Sequence, residues 1–175
     1  GGRLGGLLGS IPTTIIPASI GFWTSSANES IARDALFSVP PGMMVTALFL
    51  YCWRFLPPKL PDGSLAMRLT MMTTGALAIW FLTATALVLA MEASLFPILG
   101  FGVTCFILQV GFGIWACAQN PPAPKGKKPV GALVLLGRGL LAALAIGASV
   151  WFAGLGIPLI AGVASVFPAI FLTTM

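Results

Sequence analysis

The chain has 175 residues, of which 58% are hydrophobic and only 7% are charged, and its formal net charge is +5. Soluble domains carry about 25% charged residues, so this composition excludes an ordinary soluble protein. Four stretches contain no charged residue: residues 4–28, 69–91, 93–124 and 139–175. Each is longer than the roughly 20 residues that cross the hydrocarbon core of a bilayer. We therefore predict an all-α membrane protein, with the lipid bilayer as its immediate partner.

The ionisable residues exclude further classes of function. The positive charges lie mainly in connecting loops, which indicates membrane topology rather than nucleic-acid binding. The chain has no histidine and only four acidic residues, and Cys52, Cys105 and Cys117 are too widely spaced for a metal cluster. Hydrolytic chemistry usually needs a positioned base, a carboxylate pair or a metal. We expect no enzymatic activity and no bound cofactor or metal.

The first predicted segment, residues 4–22, is apolar but interrupted. Small residues one turn apart, such as Gly5 and Gly9, allow another helix to approach closely. Pro12 and Pro17 each remove a backbone donor and disfavour helix at the preceding residue. The segment is either a kinked packing helix or part of a substrate site, because irregular backbone at membrane depth is tolerated only against protein or a water-filled cavity. The candidate site residues here are Ser10, Pro12, Thr13 and Thr14.

Segment 2, residues 30–56, contains the interruption Pro40-Pro41-Gly42. Either residues 31–39 form an interfacial piece before a span at residues 43–55, or the whole stretch is one kinked span.

Segments 3 and 4, residues 65–91 and 95–118, are joined by a very short turn, so we predict that they are antiparallel neighbours. Gln109 lies near the middle of segment 4. A buried amide needs hydrogen-bond partners in lipid, so Gln109 either ties two helices together or contacts the substrate.

Segment 5, residues 131–155, follows a polar linker at residues 119–130 and carries Arg138. This side chain either extends to the membrane interface or attracts anions at the mouth of a cavity.

The end of the chain, residues 158–175, forms segment 6 and is a weaker copy of the first segment. Aligning Pro12 with Pro168 places small residues on small ones and apolar residues on apolar ones. Interrupted segments in matching positions of two halves indicate the binding site of a secondary transporter. On this interpretation Ser165, Pro168 and Thr173 complete the substrate site.

Basic residues mark two loops as cytoplasmic by the positive-inside rule. These are the loop between segments 2 and 3, with Arg54, Lys59 and Arg68, and the loop between segments 4 and 5, with Lys125, Lys127 and Lys128. Segments 1 and 6 then cross in opposite directions. We therefore predict about six transmembrane segments, with broken segments 1 and 6, from a larger five-plus-five inverted-repeat bundle.

The corresponding organisation has three parts. Residues 1–118 form the first-half transmembrane bundle, residues 119–130 a basic cytoplasmic linker, and residues 131–175 the start of the second repeat. The chain starts and stops inside apolar segments, so we expect it to be a fragment of a longer protein.

The run from Gly2 to Thr14 resembles a group of largely uncharacterised bacterial polytopic membrane proteins. They carry a similar Gly-Arg-Leu-x-Gly-Leu-x-x-x-x-Pro-x-Thr segment in the first half and a related one in the second. The resemblance covers only the two ends of this chain. It implies a transporter-like repeated fold in a bacterial inner membrane or another cell membrane, and it assigns no substrate or catalytic residue. The drug/metabolite transporter superfamily is similar only in its five-plus-five plan.

We therefore predict a secondary transporter or permease that moves a small solute by alternating access, with a homodimer as one possible assembly. The spans lack Asp, Glu and His, which argues against proton coupling through side-chain carboxylates. A facilitator, or coupling to Na⁺ through backbone carbonyls, stays open. The alternative is a non-transporting membrane subunit or assembly factor, in which the glycines serve partner helices.

Overall fold

The computed structural model describes residues 14–93, 96–119 and 131–169. All regular structure in these ranges is helical, which confirms the predicted all-α class. The elements are α1 (Ile15–Ser25), α2 (Glu29–Phe37), α3 (Val39–Phe55), a 3₁₀ turn (Pro57–Lys59), α4 (Leu65–Ala93), α5 (Ile98–Ala118), α6 (Ala132–Gly154) and α7 (Pro158–Ala164).

Four helical stretches in the described ranges are long and apolar enough to cross a membrane. They are the combined α2–α3 run Glu29–Phe55, α4, α5 and α6. At about 1.5 Å per residue they are roughly 32 to 44 Å long, which exceeds the hydrocarbon core of about 30 Å. Segment 2 is thus a single long helical run with an interruption, the second of the two arrangements open from the sequence.

The prediction of about six spans in an inverted repeat is not confirmed. In the described residues segment 1 is represented by the 11 residues of α1 and segment 6 by the 7 residues of α7, both too short to cross. Helix α7 is short because Gly156 and Pro158 set its start and the chain turns again before Pro168. Most of segment 1 lies outside the described residues.

The expected disruption at Pro17 is wrong. Pro17 lies in the first turn of α1, where the missing amide has no intrahelical acceptor, and the preceding residue Ile16 is helical. Pro12 lies outside the described residues, so a break there stays a prediction.

Two helix ends show why the chain turns where it does. The Asn28 carboxamide oxygen accepts from the Ile31 amide at 3.0 Å and so caps the start of α2. At the end of α6, Gly156 has a φ of 76°, and the Ile157 amide reaches back to the Phe152 carbonyl at 3.0 Å. This Schellman-type ending requires a left-handed residue, a conformation that glycine adopts without strain.

The two ends of the bundle carry opposite charge. The end at which α3 and α5 finish and α4 begins contains Arg54, Lys59, Asp62 and Arg68, and we call it the basic end. The opposite end contains Glu29, Arg33, Asp34 and Glu92, and we call it the acidic end.

Two hydrophobic clusters form the core. One joins α3 and α4 to Val163 of α7 and centres on Phe49 and Trp80. The other joins α1, α2, α6 and α7 and centres on Phe22 and Ala161. Only 6% of the most apolar window of α6 is buried, so this helix presents most of its surface outwards.

Three glycines allow the helices to touch at one place. A Cβ at Gly102 of α5 would lie 2.7 Å from the Phe37 carbonyl oxygen, and one at Gly42 would lie 2.8 Å from the Cα of Val163. A Cβ at Gly162 of α7 would clash with the Ala35 carbonyl oxygen and would lie 2.5 Å from the Cβ of Ser38. Backbone therefore packs on backbone around the link between α2 and α3.

We expect Gly162→Ala to lower the free energy of unfolding by about 1–3 kcal/mol, because the added methyl group meets backbone that cannot rotate away. Gly147→Ala on α6 is the matched control, since a Cβ there meets nothing within 4 Å. The control should be neutral or slightly stabilising, because alanine favours helix over glycine. Thermal unfolding of both purified variants in detergent measures the difference, and equal midpoints would contradict this account of the packing.

Candidate functional site

The first interruption lies between α2 and α3, at residues 38–42, which we call the junction. Pro40 and Pro41 have no amide hydrogen, so the carbonyls four residues earlier lose their helical donors. The helix resumes at once, because the Ser38 amide donates to the Asp34 carbonyl at 3.1 Å and the Gly42 amide to the Ser38 carbonyl at 3.2 Å. The junction is therefore a local gap in the backbone bonding of a long helix.

The second interruption follows α7 at residues 165–168, which we call the terminal turn. Pro168 cannot donate to the Ala164 carbonyl, and the Phe167 amide bonds it instead at 3.0 Å. The Ser165 hydroxyl donates to the Gly162 carbonyl at 2.7 Å. Ser165 and Pro168 are both buried. The break predicted from the sequence near Pro168 is thus present and lies inside the protein.

A side-chain relay bonds the terminal turn to two other helices. The Thr46 hydroxyl of α3 donates to the Val166 carbonyl at 2.7 Å and accepts from the indole nitrogen of Trp80 of α4 at 3.3 Å. The Trp80 ring also packs edge-on against Phe167, with the ring centroids 5.0 Å apart. A side chain of α3 thus supplies a donor to a carbonyl of the terminal turn, as irregular backbone in an apolar interior requires.

The junction and the terminal turn contact each other. The closest approach of Gly162 is to Ala35 and Ser38, and the nearest atoms to Gly42 belong to Val163 and Val166. From the sequence, segment 6 was expected to meet segment 1. The described part of segment 6 packs its interruption on that of segment 2, and α1 contributes Ala18 and Phe22 to the cluster shared with α7. The predicted interruption of segment 1 at Pro12 lies outside the described residues, so its meeting with segment 6 stays a prediction.

The predicted site residues are only partly covered by the structure. Ser10, Pro12, Thr13 and Thr173 lie outside the described residues. Thr14 is the half-buried residue before α1 and makes no side-chain capping bond. Within the described ranges no hydrogen bond joins Thr14, Gln109 and Ser165.

Both interpretations of Gln109, a tie between helices or a substrate contact, stay predictions, and so do both interpretations of Arg138. Gln109 is half-buried on α5, and its Oε1 is enclosed without a hydrogen-bond partner in the part of the chain that the structure describes. The structure therefore shows no helix-to-helix bond made by that oxygen. Arg138 is half-buried about two turns into α6.

Sequence reasoning missed Thr46 and Trp80. A signal was available, because Thr46 lies four residues after Gly42 and so shares a helix face with the junction.

A shallow cavity of about 350 Å³ opens at the acidic end. It is lined by Arg33, Asp34, Phe37, Pro97, Ile98 and Leu99. The Arg33 Nε and the Asp34 Oδ1 are 3.9 Å apart on its wall, and the other lining residues are apolar. Among the described residues, no three His, Cys, Asp or Glu side chains lie together as a metal site would require. The polar groups of this cavity can bind by hydrogen bonding.

Comparison of the chain with protein-family models, with curated proteins and with solved structures gives no match. The functional argument therefore rests on the geometry described above.

We expect Thr46→Val to lower the free energy of unfolding by about 1–3 kcal/mol, because it removes the hydroxyl that donates to the Val166 carbonyl and accepts from the buried Trp80 indole nitrogen. The matched control is Thr104→Val on α5, where an exposed hydroxyl bonds only the Gly100 carbonyl one turn earlier. Thermal unfolding in detergent compares the two. A Thr46→Val midpoint as high as that of the control would contradict a stabilising role for the relay.

Proposed function

We propose that this chain is part of a secondary transporter or permease that moves a small solute by alternating access. The observation that carries the proposal is the contact between two interrupted helical stretches inside a bundle of long apolar helices. Interrupted backbone at membrane depth persists only against protein or a water-filled cavity. Broken helices that meet near the bilayer midplane are the usual setting of a transporter binding site.

The proposed solute site is centred on the terminal turn. Ser165 and Pro168 belong to it by position, although the Ser165 hydroxyl already donates to its own helix and retains only acceptor capacity for a ligand. The remaining members of the proposed site are Ser10, Pro12, Thr13, Thr14, Gln109 and Thr173. In the same proposal, segments 1 and 6 are the matching elements of two inverted halves.

The experiment is solute uptake into liposomes that contain the full-length protein, across a panel of labelled amino acids, sugars, nucleosides and organic acids. For any solute that is taken up, Pro168→Ala should reduce the rate by roughly tenfold, because a restored amide lets the helix continue through the terminal turn. Pro61→Ala in the exposed loop before α4 is the control and should stay within about twofold of wild type.

Two outcomes would contradict transport at this site. One is no uptake of any solute by correctly folded protein. The other is a Pro168→Ala variant that matches wild type for every transported solute.

A non-transporting membrane subunit is the second candidate function, and a feature of α6 favours it. Gly139, Ala143 and Gly147 follow one another at four-residue spacing on one exposed face, and a Cβ at either glycine meets open space. Rows of small residues at this spacing let transmembrane helices associate closely. A stoichiometric partner that stays bound through purification in mild detergent, together with no uptake, would favour this function. A homodimer that transports would favour the first.

We further propose that the basic end faces the cytoplasm. Its described residues include three cations and one acid, whereas the acidic end includes three acids and one cation, and cytoplasmic loops carry the excess of Lys and Arg.

Labelling of introduced cysteines with a membrane-impermeant maleimide tests this orientation. In a background with the native cysteines replaced, Ala27→Cys at the acidic end should react in intact cells. Asp62→Cys at the basic end should react only after permeabilisation, because both positions are exposed loop residues on opposite ends. The reverse pattern would overturn the orientation.

A further inference from the structure

Three cationic side chains converge on the short 3₁₀ turn that follows α3. A guanidinium nitrogen of Arg68 donates to the Pro57 carbonyl at 3.2 Å, and the Lys59 ammonium lies 3.5 Å from the centroid of the Phe55 ring. Arg54, one turn before Pro57, donates to the Ala116 carbonyl at 3.0 Å. The two ends of the loop thus bring three positive charges together at one corner of the basic end.

These cations are held in place by neutral groups. A second nitrogen of Arg54 donates to the Gln119 side-chain oxygen at 3.2 Å. Within the described ranges neither Arg54, Lys59 nor Arg68 forms an ion pair, and Asp62 in the same loop forms none either. An arginine has five N–H donors and a lysine has three, so each side chain retains donors for a further acceptor. The positive charge of this corner is therefore uncompensated by the described protein.

Apolar side chains stand beside the cations and are exposed. The exposed fractions are 48% for Phe55, 76% for Leu65 and 50% for Met67. On the neighbouring helix surface, Tyr51 packs against Phe112 with the ring centroids 5.2 Å apart and against Trp115 at 5.9 Å. Tyrosine and tryptophan in such positions are typical of the membrane–water interface.

The length of α4 places this corner at the depth of the lipid headgroups. Its 29 residues extend about 44 Å, which exceeds the roughly 30 Å hydrocarbon core. Arg68 is the fourth residue of that helix, so a helix centred on the hydrocarbon core carries Arg68 near the depth of the phosphate groups, with Leu65 and Met67 beside it in the chain.

We propose that this corner, formed by Arg54, Lys59 and Arg68 with Phe55, Leu65 and Met67, is a binding surface for an anionic phospholipid. The cations bind the phosphate, for which guanidinium has matched donor geometry. The exposed apolar side chains contact the acyl chains. A free phosphate ion would contact only the cations. Because exposed apolar side chains lie beside the cations, the surface fits an amphiphilic molecule rather than a free ion. The surface is independent of whether the protein transports a solute.

The test measures thermal unfolding of the purified full-length chain in a neutral detergent with one of three additions. Phosphatidylglycerol should raise the midpoint by about 3 °C or more, because a ligand that binds only the folded state stabilises it. Phosphatidylcholine, which has a phosphate but no net charge, and glycerol 3-phosphate, which has no acyl chains, should each raise it by less than about 1 °C.

The variant Lys59→Gln/Arg68→Gln should lose most of the shift caused by phosphatidylglycerol. Arg54 is left unchanged because it bonds the end of α5. Arg33→Gln is the matched control, since it removes an exposed cation from the acidic end and should retain the full shift.

If the double variant does not fold, Lys59→Gln alone serves as the test variant. Lys59 is exposed, and its substitution leaves every backbone bond intact. It should reduce the count of bound phosphatidylglycerol in native mass spectra of the same protein. An undiminished shift in the double variant, an undiminished lipid count in Lys59→Gln, or an equal response to glycerol 3-phosphate would each overturn the proposal.

Discussion

The hydrogen bond from the Thr46 hydroxyl to the Val166 carbonyl is the contact on which the interior of this protein depends. In an apolar surrounding a backbone carbonyl without a partner costs several kcal/mol, so a helix can break there only if another group takes over the bond. Thr46 does this at 2.7 Å, and Trp80 holds the same hydroxyl from the other side. The terminal turn is therefore fixed by α3 and α4 as well as by its own helix.

Three glycines also stabilise the interrupted helices, in their case by allowing close packing. Gly42, Gly102 and Gly162 remove the side chains that would keep the junction, α5 and α7 apart. The Phe37 carbonyl, which Pro41 deprives of its helical donor, consequently faces Gly102 of α5. Close packing and the polar relay together stabilise two interrupted helices inside a protein that has few polar side chains.

Composition and the spacing of prolines made the class of fold predictable from the sequence. Long uncharged stretches predicted the apolar helices, and Pro168 predicted the break after α7. Two things were beyond sequence reasoning. Whether Pro17 disrupts a helix depends on where that helix starts, and the start lies only two residues before it.

The partner of the broken segment was equally out of reach, because it is a tertiary contact. Thr46 and Val166 are far apart in the chain, and no local pattern connects them. Of the predicted site residues, Ser165 and Pro168 lie together at the terminal turn, while half fall outside the described ranges. The sequence located the interruption near Pro168 correctly, and its predicted pairing with the interruption at Pro12 falls outside the described residues.

The shortness of α7 has an electrostatic consequence. Helix α7 runs inwards from the acidic end and stops within the bundle, so the negative pole of its peptide dipoles is directed at the interior. Partial negative charge therefore reaches the interior of this bundle from the backbone, at a depth where the described residues supply no carboxylate.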